Sequence, residues 1–437
     1  MGAPLEEAIL DAAGTSCDAA EVLTISSEDN PVTFEHNRLK SIQTVESTGY
    51  GLRVIKDGRV GFTSGTKVGD VEAFVARACE SARFGEEAKF EFPAAAAPSA
   101  VKVFSEEAAG FPTGKAVDIG TGVIEKILAA EPEAQCEFHF EKSRATVRII
   151  NSRGLDLQTE STSASFSVGA LKVKDSGLLE VYEFDSRRDA ALDFDAPVER
   201  IIGYIKTSET ETGIGTEKLP VIFSSRAVRT LLATFKMGVN GKLVQKGISP
   251  LTGKKDTQVV ADCISLYDDP SIDYGDASFP FDMEGLATYR KPLFEKGVLE
   301  NYIFDLETAA RLGVQSTANA ARGFGSLPSP TVSNLVVTPG ETPLAEMLKE
   351  MPRGILVEQL LGGGQSNMLA GEFSVNLDLA FLVEKGELRA RLKDVMIAGN
   401  IFDAFNDIAA LGSEARLVGS VSSPPVMFGA LNASGKH

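Results

Sequence analysis

Histidine and cysteine are scarce in this sequence, and neither occurs at the spacing of a metal site. The chain has three histidines and four cysteines: His36, His139, His437, Cys17, Cys79, Cys136 and Cys263. No H-E-x-x-H or Cys-x-x-Cys pattern is present, which excludes a zinc site built on either spacing. Four thiols in a chain of 437 residues do not make a disulfide framework. We therefore expect reduced cysteines and no metal held by this chain.

Basic runs and long apolar runs are also absent. The formal net charge is −18 and the pI is about 4.8. Phosphate backbones bind clustered Lys and Arg, so this acidity disfavours nucleic acids and anionic membrane surfaces as partners. No apolar run is long enough for a membrane span, and MGAPLEEAIL at the N-terminus lacks the basic and apolar regions of a signal peptide. We expect a cytoplasmic protein.

The glycine-rich stretch LLGGGQSNMLAGEFS, residues 360–374, matches no phosphate-binding motif. It lacks the G-K-[ST] ending of a P-loop, and Asn367 occupies the third glycine position of the dinucleotide fingerprint. The chain also has no G-x-S-x-G nucleophile elbow. Glycine between two predicted strands indicates either a structural bulge or a place where another chain approaches closely.

A carboxylate-only site for Mg²⁺ or Ca²⁺ is the remaining metal hypothesis. Four carboxylates lie close in sequence, and oxygen ligands suit both ions. These residues are Asp268, Asp269, Asp282 and Glu284. Acidic loops are more often solvated turns, and we favour that interpretation.

Hydrophobic periodicity predicts several helices and one clear hairpin. The helices are expected over residues 4–14, after Asp70, from about 116 to Pro132, from Asp195 and from Ser225. In GLRVIKDGRVGFTSG, residues 51–65, apolar residues alternate with polar ones on both sides of Asp-Gly, which is typical of a hairpin turn.

Composition shifts divide the chain into four predicted segments. The Ala/Pro-rich stretch is interpreted as a connector, and the polar stretch TSETETGIGTEKLP, residues 207–220, as a linker. The segments are an N-terminal α/β module over 1–90, the connector over 91–115, a middle β-rich module with flanking helices over 116–217, and a C-terminal β-rich domain over 218–437.

Six stretches, in order, resemble the TldD/PmbA family, also called TldD/TldE. They are GLRVIKDGRVGFTSG, LYDDPSIDYGDASFPFDMEG, KGVLENYIFDLETAARLG, STANAARG, LLGGGQSNMLAGEFS and IAGNIFD. The resemblance covers nearly the whole chain and is strongest from about 219 to 410. With the element pattern, it implies an α+β fold: N-terminal helix–strand modules with an antiparallel sheet, followed by a large β-rich C-terminal domain.

The resemblance also implies a function, a cofactor and a partner. Family members pair as a cytosolic heterodimeric metalloprotease that trims unfolded or extended peptides. The TldD subunit carries H-E-x-x-x-H on a helix and a further cysteine ligand near its C-terminus. Its histidines would hold zinc, and its glutamate would act as a general base on the zinc-bound water.

This chain departs from the TldD pattern at the motif helix, which aligns with LATFKMGVNGKLVQKG, residues 232–247. Leu232 and Met237 stand where the histidines would be, and Ala233 where the glutamate would be. No cysteine follows Cys263. The resemblance is therefore closest to the PmbA/TldE branch. It implies a non-catalytic subunit with no cofactor of its own, and zinc in a TldD-type partner.

The same resemblance gives the glycine run a role in peptide binding, because extended peptides bind through main-chain hydrogen bonds along an unobstructed backbone. Glycines would allow close approach, asparagines would bond peptide amides, and an arginine would hold a carboxylate. The assigned residues are Gly362, Gly363, Gly364, Asn367, Asn319, Asn400 and Arg322. Equally, each asparagine would cap a turn inside the C-terminal domain.

Two other functions stay open at this point. One is a stand-alone hydrolase or biosynthetic enzyme on the same fold, in which Lys242, Asp282 or Glu284 would act. The other is a homodimeric peptide-binding or scaffold protein, since some family members are named modulators of DNA gyrase. The acidity argues against direct DNA contact, so such an effect would be indirect. The partner is then a TldD-like subunit or a second copy of this chain.

Overall fold

The computed structural model describes residues 4–175, 177–362 and 367–435. These residues form helices and mainly antiparallel sheets, which confirms the predicted α+β class. Among them, every helix is too short or too polar to cross a lipid bilayer.

The N-terminal half is built on one antiparallel sheet in the order β4-β3-β1-β5-β6-β7, with β2 paired to β1. Its strands are β1 (Ala19–Glu35), β2 (Arg38–Ile42), β3 (Val45–Lys56), β4 (Arg59–Gly65), β5 (Gln135–Asn151), β6 (Asp156–Lys174) and β7 (Gly177–Arg187). β1 and β5 pair from Glu21↔Asn151 to Phe34↔Phe138. Strands on both sides of the connector thus share a sheet, and the boundaries proposed for the two modules stay a prediction.

The predicted hairpin is confirmed by β3 and β4. Lys56 pairs with Arg59, and the intervening Asp57 and Gly58 have φ of 50° and 71°. A two-residue hairpin turn whose twist matches that of the strands requires positive φ at both central residues, and Asp-Gly tolerates it.

Helices cover one face of this sheet. They are α1 (Leu5–Gly14), α2 (Val71–Ala82), α3 (Glu106–Ala109), α4 (Thr113–Ala130) and α5 (Asp195–Thr207), which confirms the predicted helices of this half. Asp70 caps α2 by accepting a hydrogen bond from the Ala73 N–H at 2.9 Å. Even-numbered residues of β1 and β5, such as Val22 and Phe138, face the helices. Odd-numbered residues such as Leu23 face the other way, toward Phe281 of the C-terminal domain.

The C-terminal domain holds the remaining elements. Its helices are α6 (Ser225–Gly238), α7 (Gly241–Gln245), α8 (Leu306–Leu312), α9 (Leu344–Lys349) and α10 (Ile401–Asn406), with a 3-10 helix at Met368–Ala370. Its strands are β8 (Glu211–Thr212), β9 (Glu217–Phe223), β10 (Leu266–Asp268), β11 (Lys291–Glu295), β12 (Val298–Leu299), β13 (Ala320–Ala321), β14 (Ser329–Pro330), β15 (Leu335–Val337), β16 (Arg353–Leu361), β17 (Glu372–Glu384), β18 (Glu387–Leu392), β19 (Val395–Asn400), β20 (Ile408–Leu411), β21 (Arg416–Val418), β22 (Val421–Ser423) and β23 (Val426–Gly435).

These strands form a large sheet, β16-β9-β23-β19-β17-β18-β8, and a smaller one, β12-β11-β10-β15-β22-β21. Helix α6 begins where Ser225 predicted it and contributes Val228, Leu231 and Phe235 to a core that both sheets share. The expected linker over 207–220 is wrong in part, because β8 and the start of β9 lie within it. The first residues of β9, Glu217 and Lys218, are ordered by long-range pairing with β23, which their polar side chains did not indicate.

A buried cluster of four charged side chains joins the two halves. Glu21 and Arg53 are cross-strand partners on β1 and β3, on the sheet face turned toward the C-terminal domain. The Arg53 guanidinium lies 3.0 Å from Glu21 and 2.6 Å from Glu284. Arg322, next to β13, donates to the Glu21 carboxylate from the other side. All four side chains are at most 2% exposed, so they exclude water and each depends on the others.

Two aromatic rings, those of Phe90 and Phe92, cover the Arg53 side of the cluster. The Arg53 guanidinium carbon lies 5.1 Å from the ring centre of Phe90 and 4.9 Å from that of Phe92, distances at which a cation is attracted to an aromatic face. Arg322 is further fixed by donating to the Met283 carbonyl oxygen at 3.0 Å. These two rings, one on either side of the boundary between the N-terminal module and the connector, thus cover the junction between the two halves.

Replacing Glu21 by glutamine is expected to lower the free energy of unfolding by about 3–5 kcal/mol, because it leaves two buried arginines short of negative charge. Urea unfolding measures the effect. Glu35→Gln is the matched control, since Glu35 forms an ion pair with Lys40 on the surface, and it should cost less than about 1 kcal/mol. Equal losses in the two variants would contradict this role of the cluster.

Candidate functional site

A cleft of about 750 Å³ lies where β7 faces α6. Its volume falls in the range of about 300–1,000 Å³ that small-ligand sites occupy. Phe184 and Ser186 of β7 form one wall, Met368 and Phe373 a second, and the turn over 419–421 a third. The cleft therefore exists only because the two halves of the chain are docked against each other.

Helix α6 contributes six residues to the lining of this cleft, and three of them form a stripe that includes both cations of the lining. Ser224 caps the helix by accepting a hydrogen bond from the Ala227 N–H. Arg229, Ala233 and Lys236 line the cleft at the spacing i, i+4 and i+7, which places them on one face of the helix. The opposite face is buried in the core that both sheets share.

The three positions aligned with the zinc motif do not converge on the cleft. Leu232 is 2% exposed and packs in the C-terminal core, whereas Ala233 lines the cleft. Met237 is half-buried and, five residues from Leu232, is rotated from it by about 140° around the helix. Of the aligned positions, the one assigned to the general base is the one that faces the cavity.

Two cations of the stripe dominate the electrostatics of the cleft. The Arg229 guanidinium lies 5.3 Å from the ring centre of Phe184. Burial lowers the pKa of the Lys236 ammonium, and the charge of Arg229 lowers it further, against a smaller opposing effect of Asp268. Within the described part of the chain, no carboxylate lies within ion-pair distance of either cation.

A carboxylate and a hydroxyl stand at the β7 side of the cleft. The Ser186 hydroxyl donates to the Asp276 carboxylate at 2.8 Å, and both residues line the cavity. Arg188 holds the backbone of Asp276 in place by donating a hydrogen bond to the Asp276 carbonyl oxygen at 2.8 Å. The cleft is therefore polarised, with positive charge on α6 and a negative group across from it.

Behind the cleft, Glu183 holds three arginines. Arg200 and Arg416 lie 2.8 and 2.7 Å from the same carboxylate oxygen of Glu183. Arg226 lies 3.3 Å from the other oxygen. Arg226 also donates to Gln359 at 3.1 Å. These arginines are neutralised or hydrogen bonded, in contrast to the two cations on α6.

The glycine-rich loop leads into the cleft. Gly362 follows β16 with φ of 67° and is exposed, whereas Gly363 and Gly364 lie outside the described residues. The Asn367 carbonyl oxygen accepts hydrogen bonds from Ala370 and Glu372, closing the turn that places Met368 in the cavity wall. Close approach of a peptide to this loop stays a prediction.

Asn400 lies beside this turn. Its side chain caps α10 by accepting from the Phe402 N–H at 2.9 Å, and it donates to the Ala370 carbonyl oxygen at 3.1 Å. Asn400 therefore has a structural role at the start of α10, and its assignment to peptide binding stays a prediction.

Asn319 and Arg322 do not line this cleft. The Asn319 amide donates to Asp268 at 2.7 Å and to the Thr331 carbonyl oxygen at 3.0 Å. Arg322 belongs to the buried cluster, where the carboxylate that it holds is that of Glu21. Both contacts are internal, which is a physical reason against their binding a peptide.

The acidic residues considered for Mg²⁺ or Ca²⁺ are also occupied internally. Asp268 forms an ion pair with Lys291 at 3.0 Å, and Asp282 accepts backbone N–H groups of Glu284, Leu286 and Ala320. Over residues 4–175, 177–362 and 367–435, no group of three or more His, Cys, Asp or Glu side chains is arranged to hold a metal ion. Lys242, named with Asp282 and Glu284 for a stand-alone enzyme, does not line the cleft.

Two family models match the sequence. Residues 216–435 match the PmbA/TldA metallopeptidase C-terminal domain, and residues 20–82 match domain 1 of the same metallopeptidases. The first match alone covers just over half of the chain. An α+β protein with this C-terminal domain is metallopeptidase-like in class, and the chain belongs to the PmbA/TldD family.

Individual relatives agree with this assignment. An uncharacterized protein of Methanocaldococcus jannaschii is 28% identical over 93% of this chain and 94% of its own length. Metalloprotease PmbA of Escherichia coli O157:H7 is 26% identical, over 51% of this chain and only 47% of its own. The crystal structure of TldE from Thermococcus kodakarensis superposes with a TM-score of 0.89 over 98% of this chain and 99% of that one, at 24% identity, which shows a shared fold.

Sequence reasoning missed the residues that give the cleft its character. Arg229 and Lys236 lie on the helix predicted from Ser225, and their spacing with Ala233 places all three on one face of that amphipathic helix. Ser186 and Asp276 come from segments 90 residues apart, and nothing local in the sequence predicts their contact.

The Lys236 pKa provides a test of this geometry. Lysines methylated with ¹³C-formaldehyde give separate NMR signals, and we expect Lys236 to titrate at lower pH than exposed lysines. Arg229→Gln should move the Lys236 midpoint to higher pH, because removing a neighbouring positive charge favours the protonated amine.

The Lys236→Arg variant assigns the signal by its loss, and the exposed Lys246 is the internal reference. A Lys236 midpoint that stays fixed or falls in Arg229→Gln would show that the two cations do not share the cleft.

Proposed function

We propose that this chain is a non-catalytic, PmbA/TldE-like subunit of a TldD/TldE-type metalloprotease. It binds extended peptides and a zinc-bearing, TldD-like partner. The observation that carries the proposal is the stripe on α6, where Ala233 faces the cleft between Arg229 and Lys236. An alanine moves no proton, and two adjacent cations repel Zn²⁺.

The lining of the cleft supports peptide binding. The half-buried Phe184 and Met368 offer apolar surface, while Thr230 and Ser186 offer hydroxyls. Such a mixture accepts the side chains and the main-chain amides of an extended peptide. Gly362 and Gly371 have a left-handed backbone, which glycine adopts without strain.

An exposed apolar patch supports the partner-binding part of the proposal. Val173 and Leu178 are cross-strand neighbours on β6 and β7, and they are 63% and 62% exposed. Leu361, at the end of β16, shares a surface groove with Leu178 and is 61% exposed. Neighbouring large apolar side chains at this exposure are typical of surfaces that a second protein covers.

Activity should require both subunits. The purified chain alone is expected to cleave no peptide and to contain no stoichiometric zinc by elemental analysis, because residues at the motif positions bind no metal. Mixing it with a TldD-type partner should give peptidase activity that a chelator removes.

The control is the same partner with both motif histidines replaced by alanine, which should abolish activity in the mixture. Chelator-sensitive cleavage by this chain alone would overturn the proposal. Full activity of the partner without this chain would show that this chain is not a required subunit of the peptidase.

A further inference from the structure

The two cations of α6 define a binding subsite within the cleft. We propose that Arg229 and Lys236 bind a carboxylate of the peptide, supplied by its C-terminus or by an acidic side chain. This inference rests on the proposed function, because it names the class of peptide that the same cleft selects.

The first argument is that, among the described residues, neither cation forms an ion pair with a carboxylate, whereas other cations of the chain do. Arg200, Arg226 and Arg416 surround Glu183, and Lys291 is paired with Asp268. Among the described residues, Arg229 and Lys236 have no such carboxylate, although the chain carries a formal charge of −18. Two cations without an ion-paired carboxylate, in a chain rich in carboxylates, are available to an external anion.

The second argument is their arrangement. Arg229 and Lys236 lie two helical turns apart on one face, and Ala233 between them has no side chain beyond Cβ. A group entering between them meets a guanidinium and an ammonium together. A guanidinium donates two parallel hydrogen bonds to a carboxylate, and such charge-assisted bonds are the strong ones. The half-buried position of Lys236 strengthens the attraction by limiting solvent screening.

The rest of the cleft orients the peptide. Asp276 faces the cavity from the β7 side and repels a carboxylate there. The anion is therefore directed toward α6, and Asp276 is left to accept N–H groups of the peptide. Met368, Phe373 and Val421 provide an apolar wall beside the anion. The expected ligand is a short extended peptide with an apolar residue next to its free carboxylate.

The test uses three fluorescent peptides that contain apolar residues and share one sequence, except for one substitution in the third. The first ends in a free carboxylate, the second in an amide, and the third in an amide but with one internal glutamate. Fluorescence anisotropy gives Kd for each peptide with the chain alone and with its TldD-type partner present. The variants are Arg229→Gln, Lys236→Gln and the double substitution, with Arg83→Gln as a control at an exposed arginine on the far helix face of the N-terminal sheet.

The wild-type chain should bind the free acid at least about tenfold more tightly than the amide, since a hydrogen bond to a charged group is worth about 1.5–3 kcal/mol. Each single variant should lose most of this preference, the double variant all of it, and Arg83→Gln none. Amide binding should be unchanged throughout. If the internal glutamate restores tight binding to an amidated peptide, side chains also supply the carboxylate; if it does not, the C-terminus is the source.

Equal binding of acid and amide to the wild-type chain would overturn the inference and leave peptide binding intact. An acid preference that survives the double substitution would also overturn it, because the carboxylate would then bind elsewhere. If no peptide binds with or without the partner, the proposed function itself fails. The comparison of acid with amide uses the unaltered chain, so a variant that fails to fold does not obscure the result.

Discussion

The buried charges between Glu21, Arg53, Arg322 and Glu284 fix how the two halves of this chain meet. Each half brings a guanidinium and a carboxylate to the buried junction, where Arg322 pairs with Glu21 and Arg53 with Glu284 across the two halves. The same sheet face that carries Glu21 and Arg53 continues to β7, where Phe184 and Ser186 face α6. The position of the cleft is therefore a consequence of this docking, since an uncompensated charge in a dry interface is too costly to tolerate a shifted register.

Within the cleft, the chemistry follows from what α6 carries. A helix that presents arginine, alanine and lysine on one face attracts anions and disfavours a divalent cation, so it is suited to holding a substrate and unsuited to activating water on a metal. Behind this stripe, three arginines share the carboxylate of Glu183. Family membership places the chain among metallopeptidase-like proteins, and the polarised cleft supports a division of labour in which this chain positions a peptide and its partner cleaves it.

Local features were predictable because local physics determines them. The Asp57-Gly58 turn, the Asp70 cap and the start of α6 near Ser225 each follow from a few adjacent residues. Features made by distant segments were not. Arg322 meets Glu21 across 301 positions, so nothing local indicated that an arginine assigned to a peptide carboxylate was already paired. The start of β9 was hidden for the same reason, because Glu217 and Lys218 are ordered by pairing with β23. The zinc-motif alignment points to α6 and stays a prediction, whereas the face of α6 that reaches the cleft became visible only with the helix in place.

The most direct test of the division of labour is anomalous diffraction at the zinc absorption edge, from crystals of this chain in complex with its TldD-type partner and an extended peptide. The account predicts one strong zinc peak, coordinated by the partner, and no peak coordinated by side chains of this chain. A zinc ion bound by residues of this chain, in its own cleft, would contradict it.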